Sequence, residues 1–249
     1  MGESIGKMFM EKTEYRHLSQ SDQKKGLAQP PLEIPAPLEQ VGTIDLPAPE
    51  EIKLGGIPLR QVIDVRRSRR EYSSTPLSLE ELSHLLWCTQ GIKKLVPGRA
   101  TLRTVPSAGA RHPLETAILV NRVSGLEPGL YWFPASEHRL VKLVAEPDIT
   151  ARITAACLNQ PFVATSAATF IWIADTYRMA WRYGERGYRY LHLDAGHVCQ
   201  NLYLAAEAIS AGACAIGAFS DQAMNELLGL TKSDRFVIYM ATVGKQKSV

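Results

Sequence analysis

The stretch from Leu191 to Ile209 limits the fold more than any other part of the chain. Apolar residues recur at Leu191, Ala195, Val198, Leu202, Ala205 and Ile209, in steps of 4, 3, 4, 3 and 4. That spacing winds one apolar stripe along a long amphipathic helix, which must lie on other apolar surface. Gly212 suits the left-handed position just past its end. Candidate strands surround it in sequence. Residues 116–123 (TAILVNRV) read as a strand, and the turn Glu127-Pro128-Gly129 leads into another at 130–133. Residues 139–144 alternate as a third, 168–174 read as a buried strand, 213–219 as a short buried segment and 235–243 as the last strand. Leu59, Val62 and Ile63 make a short helical stripe. Ser78 and Glu81 form a capping box before Leu82, Leu85 and Leu86. Residues 147–158 read as helical, and Ser220 caps a helix that stops at Gly229. Strands and helices mix without steady βαβ alternation and without internal repeats, so the class is α+β.

The first 57 residues differ. Seven of the 15 prolines fall between Pro30 and Pro58, too many for a helix, and no strand alternation is sustained there. The division expected is a Pro-rich N-terminal arm over 1–57 and a folded domain over 58–249. Leu32, Ile34, Leu38, Val41, Ile44 and Leu46 suit an arm that packs on a surface and could wrap a partner subunit.

Composition removes several functions. With 28 Lys and Arg against 25 Asp and Glu, the formal charge is +3, too small for a nucleic-acid binder. Cys88, Cys157, Cys199 and Cys214 form no C-x-x-C pair and read as reduced, mostly buried thiols, which points to the cytoplasm. No apolar run reaches the ~18–20 residues of a membrane span. The polar N-terminus carries no secretion signal, and Gly6 breaks the myristoylation pattern. P-loop, G-x-G-x-x-G and G-x-S-x-G motifs are missing. His192 and His197 of H-x-D-x-x-H are five apart and fall on different helix faces, so Asp194 or His197 suits a polar contact better than a metal.

Three segments stand out. Residues 60–70 (RQVIDVRRSRR) hold five arginines and one aspartate, a local net +4 that suits an anion such as an organic phosphate. A solvated charged turn, a localisation signal and a nucleic-acid patch are its alternatives. Residues 106–113 (PSAGARHP) form a small-residue loop that could approach a flat ligand or be an ordinary loop. Residues 212–219 (GACAIGAF) combine small size with buried character and could equally be a strand packed beneath a helix.

Taken in order, RRSxR, PSAGARHP, the helix Tyr190-Leu191-His192-Leu193-Asp194-Ala195-Gly196-His197-Val198-Cys199-Gln200-Asn201 and GACAIGAF resemble the nitroreductase-like flavoprotein family. Within it the chain looks most like the SagB-type, azoline-oxidising dehydrogenases, which Thr13-Glu14-Tyr15, PPLE at 30–33 and Gly129-Leu130-Tyr131 also resemble. The resemblance implies an α+β fold with a central mixed, mostly antiparallel sheet flanked by helices. It also implies a homodimer with FMN at the subunit interface.

By the same resemblance, Arg66, Arg67, Ser68 and Arg70 match the first flavin motif, Arg66 and Ser68 toward phosphate and ribityl and Arg70 nearer the ring. Pro106, Ser107, Ala108 and Gly109 match a loop against the isoalloxazine, given by the other subunit. Ile216 and Gly217 match a turn whose N–H groups face N5 and O4. Lys245 matches a phosphate contact, with Lys247 as a second candidate. The flavin would carry the hydride, and the protein would supply orientation and field.

A base is needed if an azoline is oxidised. Arg189-Tyr190 stands where the branch has a basic residue beside a tyrosine. Arginine, with a pKa above ~12, stays charged at neutral pH and is a poor base. The catalytic candidates are therefore Tyr190 with Arg189 acidifying its phenol. The alternative is Tyr190 packed under the flavin with Arg189 in an ion pair. The expected function is an FMN-dependent oxidoreductase acting on a peptide or small-molecule azoline. Its alternatives are a nitro or quinone reductase using NADH or NADPH as donor, and a non-catalytic flavin-binding partner in a modification complex. Neither nucleic acid nor membrane is an expected partner.

Overall fold

The apolar run at 168–174 lies inside a seven-stranded sheet that is covered on both faces. The computed structural model describes residues 2, 4–231 and 233–247. The outer limits of the 1–57 and 58–249 segments, Met1 and Val249, therefore lie outside the described residues. In chain order the strands are β1 (Gln40–Asp45), β2 (Ile92–Val96), β3 (Ala100–Arg103), β4 (Leu114–Val120), β5 (Gly129–Phe133), β6 (Arg139–Leu143), β7 (Ala168–Asp175), β8 (Ala211–Ile216) and β9 (Arg235–Lys245). The α-helices are α1 (Ile5–Lys12), α2 (Leu59–Val65), α3 (Leu79–Gln90), α4 (Ile149–Ala156), α5 (Phe162–Thr165), α6 (Thr176–Tyr183), α7 (Gly187–Ala208) and α8 (Asp221–Leu227).

The large sheet runs β1-β6-β5-β4-β7-β9-β8, while β2 and β3 pair as a separate hairpin. Every strand pair is antiparallel, so the sheet is not mixed. Parallel contact is confined to single bridges at Ser68–Ala213 and Leu77–Val123. Alternation along β7 sends Phe170 and Trp172 to one face, among Leu82, Leu85 and Leu86 of α3 and Leu191, Val198 and Leu202 of α7. Ile171 and Ile173 face the other way, among residues of α4, α5 and α8. Burial on both faces is why this strand reads as an unbroken apolar run. The capping box forms as expected: the Glu81 N–H donates to Ser78 Oγ at 3.0 Å, and the Ser78 N–H donates to Glu81 Oε2 at 2.9 Å. Ser220 caps α8.

Four sequence expectations are corrected. Helix α7 begins four residues before Leu191, and Ser210, with φ +57°, takes the left-handed position past its end. Gly212 sits inside β8 instead, because a close packing contact requires it there. In α2 only Val62 is buried, and Leu59 and Ile63 face outward. The arm is not strandless: residues 40–45 form β1, which adds to the exposed edge of β6. Edge position explains the weak pattern, since one face of β1 meets solvent and Val41 stays exposed.

The rest of the arm lies on its own chain. The Ala135 N–H donates to Glu33 at 2.5 Å, the Ile34 N–H donates to Glu115 at 3.1 Å, and Trp181 Nε1 donates to the Leu27 carbonyl at 3.0 Å. All four cysteines are free thiols, three of them buried. Burial pushes the thiols of Cys88 and Cys157 up to about 11, so they stay protonated at neutral pH. Among the described residues no helix is long and apolar enough to cross a membrane.

Candidate functional site

Two glycines set the position of the arginine block. Gly212 of β8 pairs with Gly244 of β9. A Cβ at Gly212 would lie 2.5 Å from Arg69 Cγ, and one at Gly244 would lie 2.8 Å from the Tyr72 ring. The missing side chains leave a shelf on which residues 69–72 rest. The segment is stitched down there: the Arg69 N–H donates to the Ala213 carbonyl at 2.8 Å, and the Tyr72 hydroxyl lies 2.7 Å from Thr242 Oγ1. Burial then pushes the Tyr72 phenol well above its ordinary range.

Arg66 to Arg70 thus run along the outer edge of β8. Ser68 Oγ lies 3.0 Å from the Tyr203 hydroxyl of α7, which accepts from the Ala215 N–H at 2.7 Å. The Arg66 guanidinium lies over the Tyr203 ring at 5.3 Å, and that of Arg70 over Phe162 at 5.9 Å. Neither has a carboxylate partner among the described residues. Of the arginines from 66 to 70, Arg69 comes nearest a carboxylate, at 4.0 Å from Glu207. Glu207, in the last turn of α7, also accepts from the Arg67 N–H at 3.4 Å and from Gln246 at 3.0 Å. An acid there opposes the helix dipole, and that misfit is the one sequence signal that could have exposed its role. Ile216 ends β8, the strand along which the arginine block runs, and Gly217 follows it, exposed.

The lysines are differently occupied. Lys245 Nζ is bound by Glu81, the same carboxylate that completes the capping box, and donates to the Ile209 carbonyl at 3.2 Å. Lys247 is paired with Glu71 at 3.1 Å on the surface. Both are close to the arginine block in the fold, but their charges are already answered.

Residues 106–109 lie elsewhere, against the first half of α7. Ser107 Oγ donates to Asp194 Oδ2 at 2.5 Å and accepts from the His112 N–H at 2.8 Å. The Ala108 N–H donates to Asp194 Oδ1 at 3.3 Å. Asp194 therefore makes the internal polar contact expected of it. Nine residues of helix separate it from Tyr203, about 14 Å along the axis. Within one chain the loop and the arginine block are not brought together.

Tyr190 is also on this first half; its hydrogen-bonding arginine is Arg186, while Arg189 acts on the phenol by charge alone and to a smaller extent. Arg186 Nε donates to Tyr190 Oη at 2.9 Å, and Tyr15 Oη from the arm lies 3.0 Å away. Burial works against ionisation of Tyr190, but the bonds to Tyr15 and Arg186 outweigh it and lower its pKa. Arg189 instead turns to the arm, donating to Thr13 Oγ1 at 2.6 Å and to the Met10 carbonyl. Helical spacing explains the exchange: 186 and 190 share a face, whereas adjacent residues do not. Arg186 was thus missed, although its i,i+4 relation to Tyr190 was legible.

The sequence model of the nitroreductase family matches residues 63–245. A candidate nitroreductase of Methanocaldococcus jannaschii is 38% identical over 203 residues, which cover 82% of this chain and 96% of that protein. The trifolitoxin-processing protein TfxB of Rhizobium leguminosarum bv. trifolii is 32% identical over 127 residues, 48% of this chain and 33% of its own length. Among solved structures, a candidate nitroreductase of Ralstonia eutropha superposes with a TM-score of 0.68 at 25% identity, covering 90% of this chain and all of that one. With both sheet faces covered as described and the match running from α2 to the end of β9, this chain belongs to the nitroreductase family and is an oxidoreductase.

Proposed function

We propose that the chain binds FMN and works as a SagB-type dehydrogenase, oxidising an azoline in a peptide or a related small substrate. The observation that carries the FMN reading is the seam of β8, where Arg66, Ser68 and Arg70 run along the strand that leads to Ile216 and Gly217, with Arg66 and Arg70 unanswered by carboxylates among the described residues. Unanswered forked cations, a hydroxyl and an open glycine fit a phosphate-bearing flavin. When bound, FMN supplies the hydride acceptor. The chain's own residues would hold the anion at Arg66 and Ser68, present the backbone turn at Ile216 and Gly217, and offer Tyr190, whose phenolate oxygen, formed with the help of Arg186 and Tyr15, would take the proton. The likeness to a trifolitoxin-processing protein supports a substrate of peptide origin.

The two halves of the site fit a homodimer, in which the partner's loop 106–109 would meet the arginine block. The outward face of α7 carries Leu193, 58% exposed, and Gly196, where a Cβ would meet nothing within 4 Å. Leu59 and Ile63 of the adjoining α2 are also exposed. Apolar groups beside a small residue suit close approach of a second copy. Free thiols suit the reducing cytoplasm.

The purified protein is expected to be yellow and to release FMN. Colourless protein that fails to take up added FMN overturns the cofactor reading. Anaerobic mixing then separates the activities. Bleaching by an azoline peptide but not by NADH or NADPH supports the dehydrogenase. Rapid bleaching by NADH or NADPH supports the second reading, a nitro or quinone reductase, which the near full-length match to the Methanocaldococcus protein favours. Flavin that binds and never turns over points to a non-catalytic partner in a modification complex.

A further inference from the structure

The arm builds one wall of a cleft, and that wall lies outside the family-matched segment, which begins at residue 63; the opposite wall, Arg182 and Tyr183, lies within it. An open cavity of about 650 Å³ lies between residues 15–24 and the end of α6. Tyr15 and Tyr183 form aromatic walls, and Lys24 and Arg182 bring two positive charges. Neither cation has a carboxylate partner among the described residues. Asp22, the nearest acid in sequence, is held by Lys25 at 3.0 Å, and the Arg182 guanidinium rests over the Tyr183 ring at 5.6 Å. The Ser21 hydroxyl in the same wall has no hydrogen-bond partner among the described residues.

The cleft is pressed against the 106–109 loop. Gly109 has φ +58°, and a Cβ there would come within 2.5 Å of Tyr183 Oη and 2.8 Å of Arg182 Nε. Absence of a side chain at Gly109 is what lets the cation and the phenol reach the loop.

We infer that this cleft is a subsite for a planar ligand bearing an anionic group. A carboxylate or phosphate would bridge Lys24 and Arg182 while its ring lies between the tyrosines. The size lies within the ~300–1,000 Å³ of small-molecule sites. The forked guanidinium suits a planar oxyanion, and aromatic walls suit a flat ring. The inference rests on the proposed flavin reading only in making this the substrate side of that site. The cations and the cavity stand without it.

Calorimetric titration of the protein as purified tests it, with 4-nitrobenzoate, phenyl phosphate and neutral 4-nitrobenzyl alcohol as probes. At least one anion is expected to bind more tightly than the alcohol, and comparing the two anions tells which group the cleft prefers. Arg182→Gln should weaken the anion about tenfold, the loss of one charge-assisted bond, and change the alcohol less than about twofold. Lys24→Gln should act in the same direction. Equal affinity for anion and alcohol in the unsubstituted protein, or anion binding indifferent to Arg182→Gln, overturns the subsite. Released flavin is measured on every sample. Protein without flavin that still binds anions through Arg182 overturns the flavin reading alone, whereas flavin-loaded protein indifferent to Arg182 overturns the subsite alone.

Discussion

Ser107 and Asp194 are joined by a 2.5 Å hydrogen bond that fixes an irregular loop to the most regular element of the fold. The Ser107 hydroxyl faces both ways, accepting from the His112 N–H while donating to the carboxylate. Asp194→Ala removes acceptors for Ser107 and for the Ala108 N–H together. Hydrogen bonds to a charged group contribute about 1.5–3 kcal/mol each, so urea unfolding should show a loss of about 2 kcal/mol after local relaxation. Helical content in far-ultraviolet circular dichroism should be unchanged. A loss below about 0.5 kcal/mol would show that the loop is held by other contacts.

Arg66 and Arg70 lean on Tyr203 and Phe162 without carboxylate partners, so little of the fold depends on their charge. The double variant Arg66→Gln, Arg70→Gln is expected to change apoprotein stability by less than about 1 kcal/mol. On the proposed function it should weaken FMN binding at least about tenfold. Stoichiometric flavin in the purified double variant would reduce the block to a charged turn.

The shelf made by Gly212 and Gly244 gives a steric prediction. Gly212→Ala drives a methyl group into Arg69 Cβ and Cγ, at 2.8 and 2.5 Å. Overpacking of this kind costs about 1–3 kcal/mol. The melting temperature should fall, and amide exchange should quicken at Arg69, whose N–H is bonded to Ala213. Unchanged protection at Arg69 would refute the packing argument.

Arg186 and Arg189 separate by their partners. Arg186→Gln removes a donor to Tyr190, so the phenol should titrate at higher pH, read from the ultraviolet difference spectrum of tyrosinate. Arg189→Gln should shift it less, and should instead free α1, seen as faster proteolysis near residues 5–13. Equal phenol shifts from both variants would contradict the geometry.

His112 predicts a pH dependence. Burial, with Arg103, Arg111 and Arg178 nearby, lowers its pKa to about 3. Between that value and the ordinary value near 6.5, the unfolded chain binds a proton that the folded chain does not. Stability from this residue therefore rises with pH across that window, and is lost as pH falls, with a limiting slope of about 1.4 kcal/mol per pH unit. Asparagine tolerates the left-handed backbone at this position, φ +43°. His112→Asn should flatten the fall in melting temperature between pH 7 and pH 4. Parallel profiles for the two proteins would refute the assignment.

Local patterns carried much of this molecule. The stripe from Leu191 to Ile209, the capping box at Ser78 and Glu81 and the run at 168–174 were legible because each depends on neighbours a few residues away. The arginine block was legible as a charge density, and its order with the small-residue segments pointed to the family. What remained hidden depends on partners far along the chain. Strand β1 is stabilised by pairing with β6, about a hundred residues later, and its own alternation is too weak to announce it. Gly212 looked like a helix terminator, yet its purpose is to let Arg69 lie on β8. Glu81 looked only like a cap, yet it also holds Lys245. The sequence by itself determined the long helix α7, the capped helices α3 and α8, the central strands and where cations concentrate, since periodicity and composition are local. Only the tertiary structure decided which charge faces which partner, because those pairings form when packing of the sheet brings distant backbone within hydrogen-bond reach.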